Sequence, residues 1–389
     1  MSDFWNGYMP STPPLDRLPS PWDAWEVLLA DAMDNNLQLG DKFGLTDEEK
    51  AVSEKWRSSV QETPIIEPPA DLTRARLVLV WILHFYVHTL PPAPTKEVPP
   101  SISIPLLQVC EKTGQPPVLT YADEVLSNCY LPSNDPDPQC IFLFNPNSKD
   151  EAAFHLTSAR VERAGKDAMQ SIHDIVSSFD ADPTNSKLAT QLDTLTTHIH
   201  TLRTHLLSIK TSVDPDFFYN RIRPWLVGGS FLFAGSGDKD PRVLAGSSAA
   251  QSPLIQTLDA FLGLTRTSES PRSPASQGIL NQMRAYMVPA HRAFIEKLEA
   301  EKWGERLQGV DGVGLNLRGA VEALRQFRDA HIVIVTLFVV GPARRVGQVG
   351  AGVVVVEKVE KVEKEMKGTA GTDLMRFLKD VRDSTVTGV

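Results

Sequence analysis

The chain has 389 residues, 42% of them hydrophobic, and 39 basic against 48 acidic side chains leave a formal net charge of −9. That length suits two or three domains, or one large and one small, and that apolar share excludes wholesale disorder. An acidic chain without a long basic run also excludes nucleic acid as the default partner.

Of the 29 prolines, 19 fall within residues 1–138, so the two parts of the chain are built differently. Residues 1–22 are Pro-rich and irregular, and Met1–Asn6 has neither the basic nor the apolar region of a signal peptide. The most apolar stretches, 77–87 and 332–340, are shorter than the ~20 residues a membrane span needs. Cys110, Cys129 and Cys140 are few, odd in number and not in CxxC spacing, which suggests neither a disulfide scaffold nor a zinc site. A reduced, soluble, cytoplasmic protein is expected.

In chain order, helices are predicted from Pro21 to about Met33, over 47–60 with Thr46 and Glu49 as a capping box, and over 71–89. Prolines 91, 92, 94, 99 and 100 end the third helix in a stiff linker. Short helices near 102–112 and 121–129 follow, then a Pro-rich loop before Ile141–Phe144. From Glu151 onward, 151–180, 186–211, 250–263, 277–302, 317–340 and 373–384 read as helices. Val353–Val356 is the best strand-like run, inside a Val/Glu/Lys-rich insertion over 343–366 expected to be disordered. No strand–helix alternation appears, so the expected class is all-α: a small Pro-rich helical domain with its linker (1–138) and a large helical bundle (139–389).

Leu317, Val321, Leu324, Arg328, His331, Val335 and Phe338 are spaced alternately by four and three and share one helix face. Burying an unpaired cation or imidazole on that apolar face costs roughly several kcal/mol, so Arg328 and His331 need partners. A haem would supply both, through iron and a propionate. Pairing within the protein would supply them as well, and is the commoner arrangement. Phe154, Ser158, Val161, Gly165, Ala168 and Ile172 form a second stripe, in which Ser158 meets a ligand or bonds back one turn. Phe218 and Arg223 lie in one short helix, where Arg223 clamps a carboxylate or sits on the surface. The Gly-rich stretch 228–250 lacks a P-loop signature and follows no predicted strand; Ser248 with Gln251 reads as the cap of the 250–263 helix. His198, His200 and His205 make a poor metal site, because only the first and last share a face.

Several strings, in order, resemble the indoleamine 2,3-dioxygenase family: Tyr121-Ala122-Asp123, Ala245–Ser252, Met283–Arg292 with its Pro-Ala-His-Arg, Arg328-Asp329-Ala330-His331, and Gly368–Met375. The resemblance runs over roughly residues 20–385, is weak before 70 and dense after 245, and the Pro-rich N-terminal half resembles that of fungal members. It implies a b-type haem between helices of the large domain, with His331 as the proximal iron ligand and Arg328 near a propionate. Tyr121, Phe154, Ser158 and Phe218 match the distal pocket around the indole, and Arg223 matches the partner of the substrate carboxylate. Ser158, Phe218 and Arg223 hold the positions implied to be catalytic. Ser248 and Ala249 match the stretch over the haem edge, and Thr369 matches a mobile loop near the substrate amino group. His291 is implied to be structural. The implied chemistry is opening of the indole 2,3-bond of L-tryptophan by O₂ at ferrous haem to give N-formylkynurenine, the first step of the kynurenine route toward NAD. An electron donor and a monomeric, cytoplasmic enzyme go with it.

Two positions depart from the family pattern. Ser247 stands where a Gly is common, narrowing the backbone's approach to the haem edge. Glu124 stands where animal members are smaller and neutral; facing the pocket, it would disfavour anionic ligands. These departures leave a catalytically weak or inactive haem-binding protein of the same fold as the alternative.

Overall fold

The computed structural model describes residues 4–12, 14–132, 137–181, 186–264, 274–349 and 374–385. Local rules set the first helices. Helix α1 spans Asp23–Asp34 and α2 spans Asp47–Glu62, started by the expected capping box of Thr46 and Glu49. Helix α3 (Leu72–Thr89) is capped by Asp71 and buried on nearly every side; α1 and α4 (Pro100–Thr113) pack around it.

The Pro-rich linker is not merely a spacer. It carries strand β1 (Lys96–Val98), which pairs in parallel with β4 (Gly229–Phe233), itself antiparallel to β5 (Arg242–Leu244). Strand β4 lies in the Gly-rich stretch where none was predicted. Its glycines serve close packing: a Cβ on Gly228 would sit 2.0 Å from Leu244 O, and one on Gly246 would sit 2.0 Å from Leu226 O. The helix expected near 121–129 is a π-helical turn, Ala122–Leu126, followed by a small hairpin of β2 (Cys129–Tyr130) and β3 (Gln139–Cys140).

The larger part follows. Helix α5 (Lys149–Phe179) starts at a Ser148 cap. The predicted 186–211 helix is α6 (Leu188–Leu207) plus the short α7 (Ile209–Ser212). Next come α8 (Pro215–Phe217), a π-helical turn Phe218–Ile222 and a 3₁₀ turn Arg223–Leu226. Helix α9 is Pro253–Phe261. The predicted 277–302 helix is two, α10 (Pro274–Arg284) and α11 (Pro289–Ala300), because Pro289 lacks an N–H and suits only a first turn. Helix α12 is Trp303–Gln308, and α13 (Gly314–Val335) continues through a π-helical turn, Thr336–Val340, into α14 (Gly341–Val349). Helix α15 is Leu374–Asp383. Residues 343–349 of the insertion are therefore helical rather than disordered; Val353–Val356 lies outside the described residues. The fold is mainly helical, as expected.

Helix α6 lies between α5 and α13 and packs along both. Gly165 lets α9 approach α5: a Cβ there would lie 2.3 Å from Leu254 Cδ2. One core cluster gathers α5, α6, α9, α11 and α13. A second joins α1, α3 and α4 to Phe144, Trp225, Phe231 and Phe338. Within it Trp81 stacks on Phe144 at 4.2 Å and Phe144 on Trp225 at 5.1 Å, so α3 is bound to segments on the far side of residue 138. Among the described residues, no helix is long and apolar enough to cross a membrane.

Candidate active site

Helix α3 positions two walls of the site. Arg76 meets Asp123 through two hydrogen bonds of 2.8 Å, and Asp123 also accepts from Thr120 N at 2.9 Å and Thr120 Oγ1 at 2.7 Å. The Asp of Tyr-Ala-Asp is thus a buried clamp that holds the π-helical turn in place. Two turns along α3, His84 Nε2 accepts from Leu119 N at 3.0 Å, so Nδ1 carries the proton and donates to Trp225 O at 2.7 Å. Burial pushes His84 down to about 4, which keeps the ring neutral and suited to that double role. One helix therefore fixes both the segment before Tyr121 and the segment after Arg223.

Gln251 fixes a third wall: its Oε1 accepts from Tyr121 N at 2.8 Å and its Nε2 donates to Gly246 O at 2.9 Å. Ser248, predicted to cap the following helix, caps only the 3₁₀ turn Ala249–Gln251; Ser252 caps α9 by accepting from Ile255 N. The side chain of Gln251 is needed for the tie to Tyr121, so it does not close a capping box.

These walls enclose a cavity of about 280 Å³. Tyr121, Phe154, Ser158, Phe218, Arg223, Ser248, Ala249, Arg328 and His331 all line it. Thr369 lies outside the described residues. Phe154 meets Phe218 at 4.8 Å between ring centres, and Phe218 meets Phe338 at 5.8 Å, two turns beyond His331. The back-bond weighed for Ser158 is made by its neighbour, Thr157 to Ala153 O. The Arg223 guanidinium lies 5.5 Å from the Tyr219 ring. Tyr121 presents its ring to the cavity while its hydroxyl donates to Glu162 Oε1 at 3.0 Å.

Arg328 finds the partner within the protein that the sequence allowed for. Arg328 is buried and lines the cavity, yet it donates to Asp259 on α9 and to Thr385. His331 lines the cavity, and burial pushes its ring down to about 4, so it stands as neutral imidazole at neutral pH. Neutral imidazole is the form that ligates iron. Among the described residues no three His, Cys, Asp or Glu side chains are grouped to hold a metal unaided. Iron carried in its own macrocycle, with His331 as the protein's donor and guanidinium groups near its carboxylates, fits this donor set.

Sequence reasoning passed over four buried partners: Glu151, His155, Glu162 and Asp259. Glu151, His155, Ser158 and Glu162 follow helical spacing along α5, so a polar stripe was the available signal. Glu124 does line the cavity, but His155 Nδ1 lies 3.0 Å from its Oε1. Burial opposes a charge on His155, while hydrogen bonds to Glu124 and Glu151 outweigh it and push the ring up to about 10. A cation therefore sits beside Glu124, and the expected repulsion of anions is offset. His291 packs edge-on against Phe4 at 4.7 Å and Tyr8 at 4.8 Å, apart from the cavity lining.

A sequence profile of the family described as indoleamine 2,3-dioxygenase matches residues 3–388. The chain belongs to the indoleamine 2,3-dioxygenase family. It is accordingly an enzyme of the haem dioxygenase class. It is 28% identical over 423 residues to an indoleamine 2,3-dioxygenase of Saccharomyces cerevisiae, covering 98% of this chain and 91% of that protein. Indoleamine 2,3-dioxygenase 2 of Mus musculus is 30% identical over 312 residues, covering 75% of this chain and 73% of its own length. A protein named myoglobin from Haliotis madaka is 28% identical over 358 residues, 87% of this chain and 88% of that protein.

Proposed function

We propose that this indoleamine 2,3-dioxygenase family member opens the indole C2–C3 bond of L-tryptophan with O₂ to give N-formylkynurenine. The observation that carries the reading is one apolar cavity that holds a neutral imidazole, His331, a guanidinium, Arg223, and the rings of Tyr121, Phe154 and Phe218. His331 would hold haem b through its open ring nitrogen, with Arg328 beside a propionate and Ser248 and Ala249 along its edge. Bound in the ferrous state, that cofactor supplies O₂ binding and activation.

The chain's own residues do the rest. Arg223 pairs with the substrate carboxylate, a charge-assisted and directional anchor. Phe154, Phe218 and Tyr121 confine the indole plane and exclude water, which orients the ring for reaction. Ser158 supplies a hydroxyl for hydrogen bonding to the bound indole, and Thr369 belongs to the segment assigned to the substrate amino group. The same reading has the enzyme working as a cytoplasmic monomer with an external electron donor that keeps iron ferrous.

The test is anaerobic reduction of the haem-loaded protein, then addition of tryptophan and O₂, with N-formylkynurenine as the readout. No product from fully loaded ferrous protein overturns the reading. A second reading, an O₂-binding haem protein of the same fold without turnover, draws on the Haliotis relatives named myoglobin. Stable O₂ or CO binding with no tryptophan-induced spectral change would establish it instead.

A further inference from the structure

Glu124 places a carboxylate in the cavity wall beside aromatic and aliphatic side chains. It is 4% exposed. Its Oε1 is engaged by His155 Nδ1 at 3.0 Å, while its Oε2 has no hydrogen-bond partner among the described residues. His155 is itself completely buried, with Glu151 Oε1 behind it at 3.4 Å. Glu151 in turn accepts from Phe144 N at 2.6 Å, Asn145 N at 2.7 Å and Asn145 Nδ2 at 2.8 Å. Those three donors hold Glu151 in place behind the ring, so His155 bridges it to Glu124 and pins Glu124 Oε1. The result is an anchored acceptor with one oxygen unused at the cavity. That oxygen is not sealed off but faces the cavity, so a ligand that covers it without supplying a donor strands it, and a ligand that brings a donor is favoured.

We propose that Glu124 is a specificity residue, and that this pocket selects an indole bearing a hydroxyl or amino donor on its benzene ring over the plain or alkylated ring. The inference rests on the tryptophan-pocket reading above. Its neighbours decide which end of the substrate it meets. Tyr121 immediately precedes the π-helical turn that carries Glu124, and Phe154 adjoins His155; both are assigned to the indole ring. Arg223, assigned to the substrate carboxylate, stands on a separate 3₁₀ turn beside Tyr219.

The experiment compares tryptophans hydroxylated, or methylated, at each free benzene-ring carbon. Both kcat/KM and calorimetric Kd are measured on the haem-loaded protein. At one ring position the hydroxyl compound should show a kcat/KM higher, and a Kd lower, than its methyl counterpart by roughly tenfold or more. Glu124→Gln should shrink that ratio, and Glu124→Val combined with His155→Phe, which removes both charges together, should bring it to about unity. Should the double variant not fold, the Glu124→Gln ratio alone decides. Equal affinities at every ring position, or a preference unchanged in the variants, overturn the proposal. Tryptophan turnover without discrimination would sink this inference alone. Discrimination in Kd without turnover of any analogue would sink the dioxygenase reading and leave Glu124's role standing.

Discussion

Arg328 on α13 and Asp259 on α9 form a buried ion pair in the wall of the cavity, and Thr385 Oγ1 accepts a second hydrogen bond from Arg328. The pair links the helix that carries His331 to the helix that begins at the Ser252 cap. Asp259→Ala should leave the guanidinium buried without its carboxylate and cost about 3–5 kcal/mol of stability. Denaturant unfolding measures this, and haem content should fall with it. An unaltered midpoint would mean that Thr385 and the rest of the wall suffice for Arg328.

His331 is the side chain on which cofactor binding turns. His331→Gly should abolish the Soret band while far-ultraviolet circular dichroism stays that of the folded chain. Added imidazole should restore the band by filling the vacated ligand position. A full Soret band in the unrescued variant would remove His331 from the iron.

Arg223 should act on binding rather than on chemistry. Arg223→Ala is expected to raise the tryptophan KM by an amount equivalent to about 2–5 kcal/mol if the ion pair is desolvated. Arg223→Lys should fall between, since a point charge replaces a planar fork. An unchanged KM would mean that another group holds the carboxylate.

Glu162 gives the fold a pH dependence with a defined sign. It is buried beneath Tyr121 and Ser252, the latter donating to its Oε1 at 2.5 Å. Burial pushes its carboxyl up to about 7, against the two hydrogen bonds that hold it down. With the folded value above the ordinary 4.5, the folded state binds more protons between about 4.5 and 7. Stability from this group is therefore greatest below that window and is lost as pH rises through it. Relative to Glu162→Gln, the protein should lose on the order of 3 kcal/mol between pH 4.5 and 8. Unfolding free energies of the two proteins at both pH values test it; parallel pH profiles would show that Glu162 does not titrate in this window.

Local patterns in the chain were enough to find most helices and the partition of polar from apolar faces. Thr46 and Glu49 formed their capping box because that motif closes within four residues. The four–three spacing through His331 set one cavity wall, since side chains at that interval align on any helix. The strands were different. Lys96–Val98 pairs with Phe231–Phe233 more than 130 residues away, and three residues are too few to show a period. Ser248 was expected to cap the 250–263 helix, but Ser252 caps it, and the side chain of Gln251 is taken by Tyr121 and Gly246.

Residue order, then, was sufficient for the helical class, for the family likeness, and for the side chains that gather at the cavity, because each of these is written in short motifs or in a helix's own repeat. Which charges those side chains carry, and which partners they keep, came only with folding. Arg328 found Asp259 on another helix, and Glu124 found His155 across the π-helical turn. Neither pairing leaves a trace in spacing, because an electrostatic partner is selected by proximity in a desolvated interior rather than by distance along the chain.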